Sequence, residues 1–529
     1  MKSKRSKSAS AMNRREMFLA GATAGVASLF DPRGAQAATT LPVRASGTEV
    51  YARFGVKPFI NCTSTYTING GSAMLPEVIE AMNNASFYPV NLDELMEGAG
   101  KRIAELLQVE AAMVSSGAAG AITCATLACV AGGDPEKMQQ LPDTTGIKGE
   151  VIVPRWSRSV YDHAVRSTGV RMVEVDTLAE LEKAFSPRTA MATGQINLAG
   201  EGNPFTLEQY VAAAHKRGVP VVMDVADRLP LVPNPYLSRG ADLVAYSGGK
   251  IIRGPQTAGM LLGRKDLVAA AFMNSAPHHA FARAMKVSKE EVAGMVKAIE
   301  MLRTGKRNRD AEDAEWRGWF RHITDTVTKV PGVSGEIIEP KDKQYYPTMK
   351  VVWDPKKTGI TAGEIGKMLL EGEPRIMTHA GLKEGDQSNE MLLRPVAMWA
   401  GEYQIVAERL YQILSKAPGP RTKPPRAAPA GDVAGLWESV LHFKVGTTRH
   451  TFYLDAKGNY LSGQYAGRLV KGALKGHVDG NKVEFSSAGK FEGTSLQYTY
   501  KGTFDGKQMS GVVDLGEYGT ATFTATRKA

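Results

Sequence analysis

Cysteine is scarce in this chain: Cys62, Cys124 and Cys129 are the only three in 529 residues. An odd number so thinly spread builds no disulfide framework and no metal-ligand spacing, so free, buried thiols are expected and no metal site. Long apolar runs are missing as well. The longest, near the N-terminus, is about 14 residues, short of the roughly 20 that a bilayer-spanning helix needs, and no stable membrane span is expected. Nor is there a dense basic stripe. The formal charge of +11 comes from 65 Lys and Arg against 54 Asp and Glu. Residues 1–37 hold seven of the basic and two of the acidic residues, leaving 58 against 52 for the rest, too diffuse a surplus for a nucleic-acid partner. What is there, 43% apolar and 22% charged, is the composition of a soluble globular chain with a large core, and the length calls for more than one domain.

The N-terminus reads as an address label. Lys2, Lys4, Arg5 and Lys7 precede Arg14-Arg15, then an apolar stretch to Phe30 and the small-residue site Ala35-Gln36-Ala37. This resembles a twin-arginine export signal over residues 1–37, recognised by machinery that carries folded proteins, and predicts a periplasmic or secreted protein. The alternative is a basic tail ahead of a buried helix.

From about residue 50 to 270, strand-length apolar runs (Val151–Val153, Val170–Val175, Val219–Asp224, Leu243–Tyr246) alternate with helical stretches such as Leu207–His215. Strand, helix, strand in succession predicts a mainly parallel sheet covered on both faces. Residues 38–285 are read as a large domain and 286–415 as a smaller α+β domain, with 287–330 as one long amphipathic helix. Five prolines between 416 and 431 mark an extended linker. From 432 to 529, short alternating runs are separated by turn signals at Asp455–Gly458, Asp479-Gly480-Asn481 and Asp505-Gly506-Lys507, which predicts an antiparallel meander closed into a β-barrel. His450 and His477 lie there without ligand spacing, and the polar stretch Asp134–Gly149 reads as an insertion.

Three segments bear on chemistry. In Tyr246-Ser247-Gly248-Gly249-Lys250, a lysine among glycines follows a parallel strand, where α/β enzymes place ligands. Lys250 is either a Schiff-base lysine or an exposed loop residue. Asp224 ends the apolar strand Val219–Met223; a carboxylate there needs a cation or donors, unless it is a helix N-cap. Ser115-Ser116-Gly117-Ala118 opens an apolar helix, and such a start offers backbone N–H groups to an anion, or is simply a tightly packed helix start. Ser247 is placed to add a hydroxyl to the same anion.

With Ile60–Gly71 and Gly254-Pro255-Gln256, these motifs resemble the selenocysteine-synthase-like and D-glucosaminate-6-phosphate ammonia-lyase-like family of fold-type I pyridoxal-phosphate enzymes, over roughly residues 50–415. The resemblance implies that Lys250 holds pyridoxal 5'-phosphate and shuttles protons, that Asp224 faces the ring nitrogen, and that Ser115, Ser116, Gly117 and Ala118 hold the phosphate. It implies that Tyr161 or His163, with His163 preferred, stacks on the ring. It also makes Arg394, in Leu392-Leu393-Arg394-Pro395, a grip on a substrate carboxylate, with Arg253 as a rival and Thr65 beside it; a structural ion pair is the plain alternative for Arg394. A homodimer is implied too. The expected reaction is α,β-elimination with ammonia release from an amino-acid or amino-sugar-acid-like substrate. A class V-like aminotransferase, a racemase and a cell-envelope binding protein that keeps the fold are the alternatives.

Overall fold

The computed structural model describes residues 49–198, 202–380, 387–421 and 424–528. The leader expected at 1–37 lies outside them. The first strands along the chain are β1 (Ile60–Asn61), β2 (Ala111–Ser115), β3 (Glu150–Pro154), β4 (Arg171–Val175), β5 (Thr189–Gly194), β6 (Val221–Asp224), β7 (Leu243–Ser247) and β8 (Gly259–Gly263). Seven of these form one sheet in the order β2-β8-β7-β6-β5-β3-β4. All its neighbours run parallel except β8, which is antiparallel to both β2 and β7. The fold is thus the mixed α/β type with a mainly parallel sheet that the strand-helix alternation predicts.

Burial explains the composition of the connecting helices. The helix Gly117–Ala131 has twelve of its fifteen residues buried, because it is apolar on every side and is packed between the sheet and the helix Lys265–Met273. The helix Leu207–His215 instead shows one apolar face and begins in a capping box, with Thr206 accepting from the Gln209 N–H and Gln209 reaching back. Asp134 caps a short helix, Pro135–Gln140, inside the polar stretch read as an insertion. Cys62 and Cys124 are buried and Cys129 half-buried, all unpaired.

The single long helix expected over 287–330 is two helices, Lys289–Arg303 and Arg309–Val327. Between them Gly305 adopts φ +74°, and Arg307 turns inward to Glu312 and to the Ile252 carbonyl. Asn308 then caps the second helix. A buried ion pair, invisible to hydrophobic periodicity, decides the break.

A second, three-stranded sheet holds β9 (Val333–Ile338), β10 (Thr348–Trp353) and β12 (Glu390–Leu393), in the order β12-β10-β9, while β11 (Ile376–Met377) pairs with β1. Eight further strands, β13 (Gly435–His442), β14 (Thr447–Lys457), β15 (Tyr460–Ala466), β16 (Lys471–Asp479), β17 (Lys482–Phe491), β18 (Thr494–Phe504), β19 (Gln508–Asp514) and β20 (Thr520–Arg527), form a closed up-and-down barrel. Closure is by β13 on β20, from Trp437↔Arg527 to His442↔Thr522, which leaves no free edge. Alternate side chains, among them Trp437, Phe452, Phe485, Tyr500 and Phe523, fill the interior.

Candidate active site

The carboxyl ends of the parallel strands converge on one cavity of about 430 Å³. Lys250 reaches it from the loop after β7, Asp224 from the end of β6, Gln195 from just beyond β5, and Tyr161 from the segment after β3. A ligand crevice at strand C-termini is where this sheet class places chemistry. The Lys250 loop is tied by Gly248 N–H to the Ala258 carbonyl (2.8 Å) and Gly254 N–H to the Gly248 carbonyl (2.8 Å). The Lys250 ammonium makes no hydrogen bond or ion pair among the described residues; its Nζ lies 5.6 Å from the Tyr161 ring centre.

Asp224 is oriented by two donors: Gln195 Nε2 to Oδ2 at 2.7 Å and Ala226 N–H to Oδ1 at 3.1 Å. Burial pushes its carboxyl above the usual carboxylate range, while these donors and the Lys250 charge pull the other way. No cation among the described residues pairs with it, so the site holds a half-buried carboxylate that lacks one positive partner.

Gly117, Ala118 and Ala119 line the cavity from the start of the helix Gly117–Ala131, and no side chain caps that start. Its first N–H groups therefore face the cavity unsatisfied, an anion site. The close approach depends on Gly259: a Cβ there would stand 2.3 Å from the Gly117 carbonyl carbon. Ser247 lines the same cavity. Ser115 does not; its hydroxyl donates to the Gly117 carbonyl at 2.9 Å, and Ser116 also lies outside the lining.

Of the two ring candidates, the structure brings Tyr161 to the cavity and leaves His163 exposed outside it. Val160–Asp162 is a 3₁₀ turn, and at three residues per turn side chains two positions apart point to different sides. Arg253, the rival for a substrate carboxylate, is corrected outright. Its backbone takes φ +59°, its side chain turns into the core, Nε donates to the Ala73 carbonyl (2.8 Å) and Nη1 pairs with Glu312 (3.2 Å). It is a structural ion-pair residue.

Arg394 lines a second cavity of about 410 Å³ with Thr65, Ser64 and Tyr346. Lys250, Tyr161, Thr67 and Arg228 line both cavities. Arg394 is half-buried, its Nη1 donates to the Thr63 carbonyl at 3.4 Å, and no carboxylate pairs with it among the described residues. Tyr346 and Ser64 share a short hydroxyl hydrogen bond beside it.

Sequence reasoning missed Gln195, Arg228 and Tyr345. Gln195 was findable, as the residue following a parallel strand. Arg228 and Tyr345 carry no local signal: the Arg228 guanidinium stacks 4.1 Å over the Tyr345 ring and donates to Asp342 at 2.9 Å, while the Tyr345 hydroxyl donates to Asp227 at 3.0 Å. Chain folding alone brings them together.

Three comparisons bear on this geometry. The sequence profile of the family described as SelA, L-seryl-tRNA selenium transferase, matches residues 62–312. A D-glucosaminate-6-phosphate ammonia lyase of Salmonella typhimurium is 27% identical over 379 residues, 70% of this chain and 98% of that one. A 5'-C-glycyluridine monooxygenase-decarboxylase of a Streptomyces species is 31% identical over 346 residues, 63% of this chain and 84% of that one. A solved D-glucosaminate-6-phosphate ammonia-lyase superposes with a TM-score of 0.60 at 26% identity, covering 70% of this chain and 98% of its own. The chain belongs to the selenocysteine-synthase-like family of pyridoxal-phosphate enzymes.

Pyridoxal 5'-phosphate is accordingly its cofactor. The residues fit that group on their own chemistry. A lysine amine without a partner would meet an aldehyde, a half-buried carboxylate lacking a cation would meet a pyridinium, and an uncapped helix start would meet a phosphate. About 70% of this chain accounts for 98% of the ammonia lyase, so the rest of its length has no counterpart in that relative.

Proposed function

We propose that this chain is a lyase that releases ammonia from an amino-acid or amino-sugar-acid substrate by α,β-elimination. The observation that carries the reading is the pair of cavities sharing Lys250, with Asp224 in one and Arg394 in the other. Similarity along 98% of an ammonia lyase supports it. When bound, pyridoxal phosphate supplies an electron sink for the charge left as a proton leaves Cα.

The protein's own groups divide the remaining work. Asp224 would set its carboxylate against the ring nitrogen, and the helix start at Gly117–Ala119, with Ser247, would hold the phosphate. Tyr161 bounds the cavity beside Lys250. The Arg394 fork grips a substrate carboxylate bidentately, a geometry lysine does not reproduce, and Thr65 offers a hydroxyl beside it. Lys250 Nζ takes the Cα proton and returns a proton to the leaving group. In net terms, a 2-amino-3-hydroxy acid yields ammonium and a 3-deoxy-2-keto acid.

The test is a visible absorption band on adding pyridoxal phosphate, absent in Lys250→Ala, followed by an ammonium assay across amino acids and amino-sugar acids. Keto-acid-dependent amino transfer without ammonia would make the chain a transferase. Oxygen uptake with carbon dioxide release would move it to the chemistry named for the Streptomyces relative. A parent chain with no band would leave a binding protein that only keeps the fold. We further propose export of the folded, cofactor-loaded chain, supported by Arg14-Arg15 and the short apolar stretch, and a homodimer, supported by exposed apolar side chains such as Phe54, Phe87 and Tyr88.

A further inference from the structure

One turn of the barrel packs against the segment that carries Tyr161, and that turn is unusual. The two-residue turn between β17 and β18 is Glu492-Gly493, with φ +48° and +79°. Both positions are left-handed, as a type I′ hairpin requires, and glycine suits the second. Glutamate does not suit the first, where Asn, Asp or Gly is the usual choice. Its carboxylate explains its presence. Glu492 accepts a short hydrogen bond from Arg158 Nη2 and lies 3.6 Å from Arg166 Nε. Arg158 is only 6% exposed at its side chain and also binds Asp162 and Glu174, so one guanidinium joins the barrel to the large domain. The Arg166 guanidinium stands 5.9 Å over the Phe491 ring. Gly493 presses on the same backbone: a Cβ there would meet the Ser159 carbonyl oxygen at 2.5 Å and Asp162 Oδ2 at 2.8 Å.

What the turn presses on is the arm that carries Tyr161. Residues 155–166 consist of two 3₁₀ turns and a single-turn helix, with no long element to stiffen them. The barrel itself is tied down. Along the linker, Arg421 pairs with Glu364 (2.7 Å), Ala427 N–H donates to Asp479 (2.7 Å) and Ala430 N–H donates to the Gly480 carbonyl (2.8 Å). Burial raises the pKa of the Tyr161 hydroxyl, and the charges of Asp224, Asp227 and, from the β19–β20 connection of the barrel, Glu517 add to it.

We propose that the barrel is part of the catalytic apparatus, its Glu492-Gly493 turn being a positioning element that clamps the arm 155–166 and so holds the Tyr161 ring beside Lys250. The inference rests on the cofactor-binding role of that cavity. Glu492→Asn is the informative variant, because asparagine favours the turn and removes only the carboxylate; Gly493→Val, which collides with Ser159, is the second. Each is made in the full chain and compared with Tyr161→Ala. Four readouts are taken: tryptic cleavage after Arg158 and Arg166, the pyridoxal phosphate dissociation constant, the pH midpoint of the bound-cofactor band, and the barrel's own melting transition.

Glu492→Asn is expected to cleave faster in the arm, to bind cofactor about tenfold more weakly with a displaced band midpoint, and to leave the barrel transition in place. Combined with Tyr161→Ala it should bind no more weakly than Tyr161→Ala alone, since both act through one ring. Unchanged cleavage in both turn variants would overturn the clamp. So would an unchanged cofactor constant and band despite faster cleavage, or effects that add to those of Tyr161→Ala. A parent chain that takes up no cofactor would sink the function proposed above, while protease protection of the arm would still judge the clamp.

Discussion

Replacing Glu312 with glutamine removes one buried charge from beneath the Lys250 loop. The carboxylate accepts from Arg307 Nε (2.9 Å) and Nη2 (2.9 Å), from Arg253 Nη1 (3.2 Å) and from Arg309 Nη1 (3.1 Å). Burial raises its pKa, but the charges and hydrogen bonds of Arg307, Arg253 and Arg309 outweigh it and bring the group from 4.5 down to about 2. At 1.36 kcal/mol per unit this stabilises the fold by about 3 kcal/mol at neutral pH. With roughly 2 cal/mol/K per residue of unfolding entropy over the described residues that precede the barrel, the loss lowers Tm by about 4 °C. The sign in acid follows from the lowered pKa: the stabilisation is complete above about 4.5, falls to about 2 kcal/mol near pH 3.5 and vanishes below about 2. Calorimetry of the parent and Glu312→Gln from pH 7 to pH 3.5 should therefore show two curves that converge on acidification. A gap under about 1 °C at pH 7, or one that does not narrow in acid, would refute the reasoning.

Other outcomes follow from single contacts. In the barrel, burial lowers the His450 pKa from 6.5 to about 4, so stability present above pH 6.5 is lost as pH falls toward 4, by at most about 3 kcal/mol; His450→Gln should flatten that slope in the barrel transition. Gly259→Val sets a side chain into the Gly117 backbone, and is expected to weaken cofactor binding at least about tenfold in a spectral titration. Asp224→Asn should lower turnover by about a hundredfold or more while the Lys250 band still forms, because the ring nitrogen loses its anionic partner. Arg394→Lys should raise KM with cofactor affinity unchanged, because lysine offers a point charge in place of a fork.

Lys250 and Asp224 were legible because glycines and an apolar strand place them at strand ends, where position along the chain already implies position in the fold. The same logic reaches Gln195 and Arg394. It fails for Tyr161 against His163, where two side chains two residues apart are separated only by the rotation of a 3₁₀ turn. It fails again for Arg253, whose local sequence is that of a site loop but whose backbone turns it into the core. Hydrophobic periodicity likewise runs through Thr304–Asn308 without registering the break, since that break is made by Arg307 meeting Glu312.

By itself, then, the sequence determined the class of sheet, the barrel with its closing alternation, and the placing of Lys250 and Asp224 at neighbouring strand ends. All of these rest on period, turn chemistry and strand ends, which are local. Only the tertiary structure decided that Arg228 stacks on Tyr345, that Arg253 is buried beside Glu312, and that Glu492 of the barrel reaches Arg158. Those contacts join residues 59 to 334 positions apart, and a charge finds its partner across such separations only once the chain has folded.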